Sequence, residues 1–306
     1  MNEPDSENDF SLIPYSSREL VAPQDAENRI LSEMIESSLV LARDPVPVPI
    51  DLDALVCDGK RLYRSKGEGM TEENIRAFTL FLQAAEAGHT EAHFYLGCCF
   101  GYANGVPQDH AAAVKWYRRA AEEGHADAQQ NLGFGYTKGQ GVPQDYVEAV
   151  KWFRKAAEQR SAGGQFNLGY HYRDGKGVQQ DYEDAAKWYR KSAEQQHASG
   201  QTSLGVLYEQ GLGVPKDHVE AVKWYRKAAE QGHALAQHNL GVCYQYGRGV
   251  PMDMLQAYKW YQVASDQGQE QAKEQATSLA ALMSPAEFAA ASALYQEFKD
   301  TQPAKQ

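Results

Sequence analysis

The sequence predicts an all-α fold, a right-handed α-solenoid of stacked antiparallel helix pairs, and three observations carry that reading. Leu96, Leu132, Leu168, Leu204 and Leu240 are each followed by glycine, and each stands 36 residues after the last. All five tryptophans, Trp116, Trp152, Trp188, Trp224 and Trp260, keep the same interval. Between Leu and Trp a glycine loop of the form G-x-G-V-P-x-D recurs, as in "KGQGVPQD". A period of roughly 20–50 residues marks units that cannot bury an apolar face alone and must stack on their neighbours.

The first element is set apart by charge. Residues 1–50 hold ten Asp or Glu against three Lys or Arg, so most of the net charge of −11 sits there. The acid-, Ser- and Pro-rich start predicts partial disorder. Apolar residues at Ile30, Leu31, Met34, Ile35 and Leu39 predict one amphipathic helix at about 25–43, followed by the Pro-rich linker "DPVPVPIDLD". Intramolecular docking of that helix on the array, as a cap or in its groove, is expected.

Residues 51–283 form the array of about six repeats. The first, at 53–89, is degenerate: Gly69, Ala77 and Ala84 keep the period, but Lys60 takes the Leu slot and Leu80 the Trp slot. In each full unit the spacing of Ala128, Leu132, Gly133 and Tyr136 predicts a first helix, A. The loop ends it, because Pro143 cannot continue a helix. Asp145 then caps a second helix, B, with Glu148 placed to complete a capping box, and Asp217 with Glu220 repeats the pair. Helix B carries Ala149, Trp152, Ala156 and Ala157 and ends at a turn such as Gly124-His125 or Gly232-His233. Small residues let helices approach, while Leu, Tyr and Trp fill the space between layers. A polar helix around 269–282 follows. Residues 284–306 then supply a C-terminal capping helix and tail, opened by Ser284, Pro285 and Glu287.

The patterns A-x-x-x-L-G-x-x-Y, G-x-G-V-P-x-D and A-x-K-W-[YF]-x-x-A-A-x-x-G resemble the Sel1-like repeat family, a relative of tetratricopeptide repeats. Departures are local: Ala103 replaces a loop glycine, Gln179 a proline, and Arg160-Ser161 a Gly-His pair. The resemblance implies short antiparallel helix pairs and protein binding. A secreted branch of the family carries a disulfide pair in each repeat. The four cysteines here lack that pattern, which with the absence of an apolar leader or membrane span points to the cytoplasm.

Most chemistry-like features recur with the frame. The glycine loop lacks the following Lys-Ser/Thr of a phosphate cradle. His89, His125, His197 and His233 share one slot at the turn after helix B, and no histidine has a second ligand at metal spacing. No catalytic residue, cofactor or metal is expected. A hydrolase of the β-lactam or peptidoglycan type is the enzymatic alternative, although S-x-x-K and triad orders are missing. Basic residues on helix B, such as Lys151, Arg154 and Lys155, could form a stripe for RNA or an acidic partner, or a solvated face in which Arg118, Arg154, Arg190 and Arg226 pair with Glu four residues on. The acidic balance disfavours nucleic acid.

The leading expectation is an adaptor or scaffold whose helices A line a concave groove for a peptide or protein. By analogy its open positions lie two before and two, five and six after the Leu. There the chain varies from unit to unit: Phe94, Phe166 and His238; Phe134 and Tyr170; Tyr102, Lys138, Arg173 and Tyr246. The resemblance adds Asn131, Asn167 and Asn239, which precede the Leu where tetratricopeptide domains often contact ligand backbone.

Overall fold

The computed structural model describes residues 51–63 and 69–301. The expectations for residues 1–50, including the helix at about 25–43 and its docking, lie outside the described residues. Among those described there are fourteen helices and no strand. They are α1 (Leu52–Tyr63), α2 (Glu72–Glu86), α3 (Thr90–Tyr102), α4 (His110–Glu122), α5 (Ala126–Lys138), α6 (Tyr146–Glu158) and α7 (Ala162–Asp174). After them come α8 (Tyr182–Glu194), α9 (Ala198–Gln210), α10 (His218–Glu230), α11 (Ala234–Tyr246), α12 (Met254–Ser265), α13 (Glu270–Ala280) and α14 (Pro285–Thr301). Each helix from α1 to α12 packs on the next, and α7 also touches α5 and α9 directly. The helices that touch across a unit, α5, α7 and α9, are all helices A, which puts them on the inner side with helices B outside.

Three contacts explain the invariant letters. Leu96, Leu132, Leu168, Leu204 and Leu240 are completely buried. The glycine after each meets the ring that follows the tryptophan: a Cβ on Gly133 would lie 2.8 Å from Phe153, and one on Gly205 2.6 Å from Tyr225. The second loop glycine presses on the preceding helix B, since a Cβ on Gly141 would lie 2.0 Å from the His110 carbonyl oxygen. Expectation and structure differ over which aromatic fills the layer. Trp152 and Trp260 are buried, but Trp116, Trp188 and Trp224 are only half-buried, whereas Phe153, Tyr189, Tyr225 and Tyr261 are sealed. The tryptophan lies over the outer seam, where Lys155, Lys191 and Lys227 rest on the rings of Trp152, Trp188 and Trp224 at 4.0–4.2 Å.

Capping follows the sequence closely. Asp109, Asp145, Asp181 and Asp217 each accept two backbone N–H bonds at the start of helix B. The reciprocal half of the box is not made at Asp145: its own N–H goes to the Tyr136 carbonyl, and Glu148 turns to Lys151 instead. At Ser284 the box is complete, with Glu287 accepting from the Ser284 N–H at 2.8 Å and Ser284 Oγ accepting from the Glu287 N–H at 3.3 Å. The turn histidines prove to be N-caps of helix A: Nδ1 of His125, His197 and His233 accepts a backbone N–H three residues on. Ser161 does the same work with its hydroxyl.

The degenerate unit departs from the strict period. Gly59, not Arg61, meets the ring of Phe81, with a virtual Cβ 2.6 Å away, so α1 runs two residues out of register. Lys60 accordingly sends its ammonium to Glu91 at 2.8 Å rather than filling a core slot. At the other end α13 and α14 both pack on α12, with Phe298 edge-on to Trp260 at 5.1 Å.

Candidate functional site: the inner face of the helix pairs

The row two before the Leu is not open. The Phe94 ring stacks on His125 at 4.5 Å, and Phe166 lies 5.2 Å from His197 and 5.7 Å from Tyr189. Gln130 accepts a bond from Ser161 Oγ at 3.1 Å, and Thr202 Oγ1 meets His233 Nδ1 at 3.0 Å. His238 is buried 5.8 Å from Tyr261. Each residue of this row thus pairs with a neighbour across a packed joint, aromatic against His and amide against Ser. Of the asparagines, Asn167 is buried, while Asn131 and Asn239 are half-buried.

The later rows stand further out. Phe134 is half-buried with the Lys138 ammonium 6.0 Å from its ring, and Lys138 itself is exposed. Tyr170 is half-buried, with Arg173 and Lys176 each 5.0 Å from its ring centre. Arg173 Nε donates to Asp174 at 2.6 Å, and Lys176 donates to the Tyr170 hydroxyl at 2.6 Å. That hydroxyl bond holds the Lys176 ammonium above its ordinary range. Burial pushes Asp174 upward, but bonding and charge from Arg173 outweigh it, so the carboxylate stays ionised. Tyr102 is half-buried, and Tyr246 is 59% exposed beside Arg248.

Sequence reasoning passed over one buried system entirely. Gln129, Gln165, Gln201 and Gln237 sit three before the Leu and are buried. Each amide donates to a carbonyl near the end of the preceding helix B (Gln165 Nε2 to Ala157 O, 3.2 Å) and accepts from a glutamine 30 residues later (Gln195 to Gln165, 2.8 Å). The recurrence at 36 residues was visible. Polar type alone does not distinguish a buried amide from an exposed one. The helix B arginines also differ from expectation: Arg118, Arg154, Arg190 and Arg226 donate to the hydroxyls of Tyr136, Tyr172, Tyr208 and Tyr244 at 2.7–3.0 Å, not to the Glu four residues on.

Comparison with known proteins fits this construction. The Sel1 repeat model matches residues 59–89, 90–125, 126–161, 162–197, 198–233 and 234–269. This chain belongs to the Sel1-repeat family. Its structure is similar to that of a Sel1 repeat protein from Oxalobacter formigenes, at 32% identity and a TM-score of 0.68, covering 82% of this chain and 98% of that one. It is also similar to c5321, a protective antigen of uropathogenic Escherichia coli strains displaying an SLR fold, at 35% identity and a TM-score of 0.69. That match covers 89% of this chain but 56% of the antigen, so this chain spans little more than half of its length. No curated relative matches. Among the described residues of this Sel1-repeat chain, no helix is long and apolar enough to cross a membrane, and no three His, Cys, Asp or Glu side chains converge as a metal site.

Proposed function

We propose that this Sel1-repeat chain is a non-enzymatic adaptor or scaffold that holds a peptide or protein partner along the inner face of its helices A. Sel1-repeat solenoids generally mediate protein–protein interaction. The observation that carries the reading here is the contrast between an unchanging frame and the outer rows of helix A. There Phe134, Lys138, Tyr170, Arg173 and Tyr246 differ from repeat to repeat and combine half-exposed rings with charge. Aromatic and Arg side chains of this kind anchor recognition surfaces.

The competing readings have less support. The helix B stripe is largely exposed, but its cations are engaged within the chain: arginines on tyrosine hydroxyls, Lys155, Lys191 and Lys227 on tryptophan faces, and Lys151 and Lys223 on Glu148 and Glu220. For covalent hydrolysis the buried thiols are poorly suited, because burial pushes Cys98 and Cys243 up to about 12. A cytoplasmic setting is proposed on the free state of Cys57, Cys98, Cys99 and Cys243.

The test uses the full chain as bait beside the double variant Lys138→Ala, Tyr170→Ala. Proteins retained by the wild type, identified by mass spectrometry, are expected to be lost from a variant whose melting temperature is unchanged. Equal retention by both would overturn the assignment of the inner face.

A further inference from the structure

The repeats clip their loops shut with one glutamine, and two adjacent repeats have given that clip up. Gln108, Gln144 and Gln180 each turn Nε2 back onto a carbonyl at the end of helix A (Gly101, Thr137 and Arg173), at 2.8 Å in all three. In the next two repeats the same slot holds Lys216 and Met252. Both are exposed, Met252 to 66%, and Lys216 makes no ion pair among the described residues. A methionine cannot make the clip, and Lys216 shows none.

The surroundings change with it. A depression of about 510 Å³ opens between the two loops, lined by Glu209, Gln210, Lys216, His218 and Arg248. Glu209 is engaged on both oxygens, accepting from the Tyr225 hydroxyl at 2.8 Å and from Arg248 at 3.3 Å. One carboxylate therefore faces two cations, and the Lys216 charge is left over. Large apolar side chains stand exposed on these same loops and the helix ends beside them: Tyr246 at 59%, Val219 at 52% and Met254 at 38%, with Met252.

From this we propose that the paired loops of 211–217 and 247–253 form a docking site for an acidic peptide segment of the partner. A partner Asp or Glu would lie between Lys216 and Arg248, with a neighbouring apolar residue on Tyr246 and Met252. The choice of an acidic occupant follows from charge: Asp217 and Asp253 of the same loops are turned to the backbone N–H groups of the helices they cap, so the lining sets two cations against Glu209 alone, while Glu209 and the net charge of −11 oppose a polyanion. The site extends the inner face from Tyr246 to the loop residues Lys216, Arg248 and Met252, which its helix A rows do not contain, and it rests on the reading of that face as partner-binding.

The test restores the clip rather than deleting anything. Full-length wild type, the double variant Lys216→Gln, Met252→Gln, and the inner-face variant Lys138→Ala, Tyr170→Ala are each probed with an immobilised array of short peptides. The array pairs every acidic-apolar sequence with its Asn/Gln counterpart and its phosphoserine counterpart. Wild type is expected to prefer the acidic member by about tenfold, the scale of one lost charge-assisted bond. The glutamine variant, with its melting temperature unchanged or raised, is expected to lose that preference. Wild type without acid preference, a glutamine variant that keeps it, or tighter binding of the phosphoserine member would each overturn the proposal. If the inner-face variant loses peptide binding while the glutamine variant keeps it, the inner-face reading stands and this site falls. If neither variant loses binding, both fall.

Discussion

The repeat that begins at α3 and the repeats that follow it hold their helix pairs together with different chemistry at the same slot. In the later repeats a neutral amide pair does it, Gln165 with Gln195. In the earlier one His93 and Glu123 replace the two glutamines, His93 reaching the Ala85 carbonyl at 3.1 Å and the Glu123 carboxylate at 3.1 Å. Both ring nitrogens are therefore engaged, one on each side of the joint. The slot demands a side chain that can bond in two directions at once, and residue type is secondary. Amide and imidazole both qualify, because each carries two polar atoms at a rigid angle.

Breaking the layer itself is expected to have the largest effect, and it separates the sealed ring from its tryptophan neighbour. Tyr225→Ala should cost about 3–5 kcal/mol in urea unfolding, since the ring is buried and its cavity cannot refill. Trp224→Ala, at a half-buried seam, should cost less than Tyr225→Ala in the same measurement. The reverse order would mean that the outer seam, not the glycine–aromatic contact, holds the layers.

Next come the joints. Gln165→Leu leaves the Ala157 carbonyl and the Gln195 amide without their partner and should cost about 1–3 kcal/mol. The paired change His93→Gln, Glu123→Gln should be nearly neutral, because it installs the arrangement of the later repeats. A loss as large as that of Gln165→Leu would show that the two chemistries are not interchangeable.

A pH scan sharpens the same comparison at the caps. Burial lowers the pKa of His125 and His233 and takes His197 to about 4. The unfolded chain therefore binds more protons than the folded one below the ordinary histidine value of about 6.5. Stability from these caps should be fully present above that pH and should decline as pH falls toward about 4 for His197. Protonating Nδ1 also removes the acceptor of the Gly200 N–H. His197→Ser, which copies the hydroxyl cap that Ser161 already provides one repeat earlier, should shallow the decline in melting temperature between those limits; an unchanged slope would sink the account.

The smallest effect concerns turns. Arg160 and Gln196 hold φ of 65° and 64° where other repeats place glycine. Arg160→Gly or Gln196→Gly should stabilise by about 0.5–1 kcal/mol, the left-handed penalty less the added chain entropy.

The frame was legible because every repeat solves one packing problem with the same residues. Leu and its glycine, the loop and the Asp cap recur at 36 residues, and each is a local necessity of helix start, stop or close approach. The buried glutamines were equally periodic, yet their role rests on partners 8 and 30 residues away, which propensity does not encode. The surface rows were harder. Phe94 and Phe166 read as open rings but close the joints with His125 and His197, while Lys216 and Arg248 matter only through the depression between two loops.

Sequence alone thus determined the repeat, its length, its helix boundaries and its family, because those follow from contacts within a unit and between identical units. Only the tertiary structure decided which aromatic seals each layer, where the arginines go and which varying residues remain accessible. Those outcomes depend on how far one repeat is set from the next, and a periodic string carries the spacing of residues along the chain but not the distance between the helices it builds.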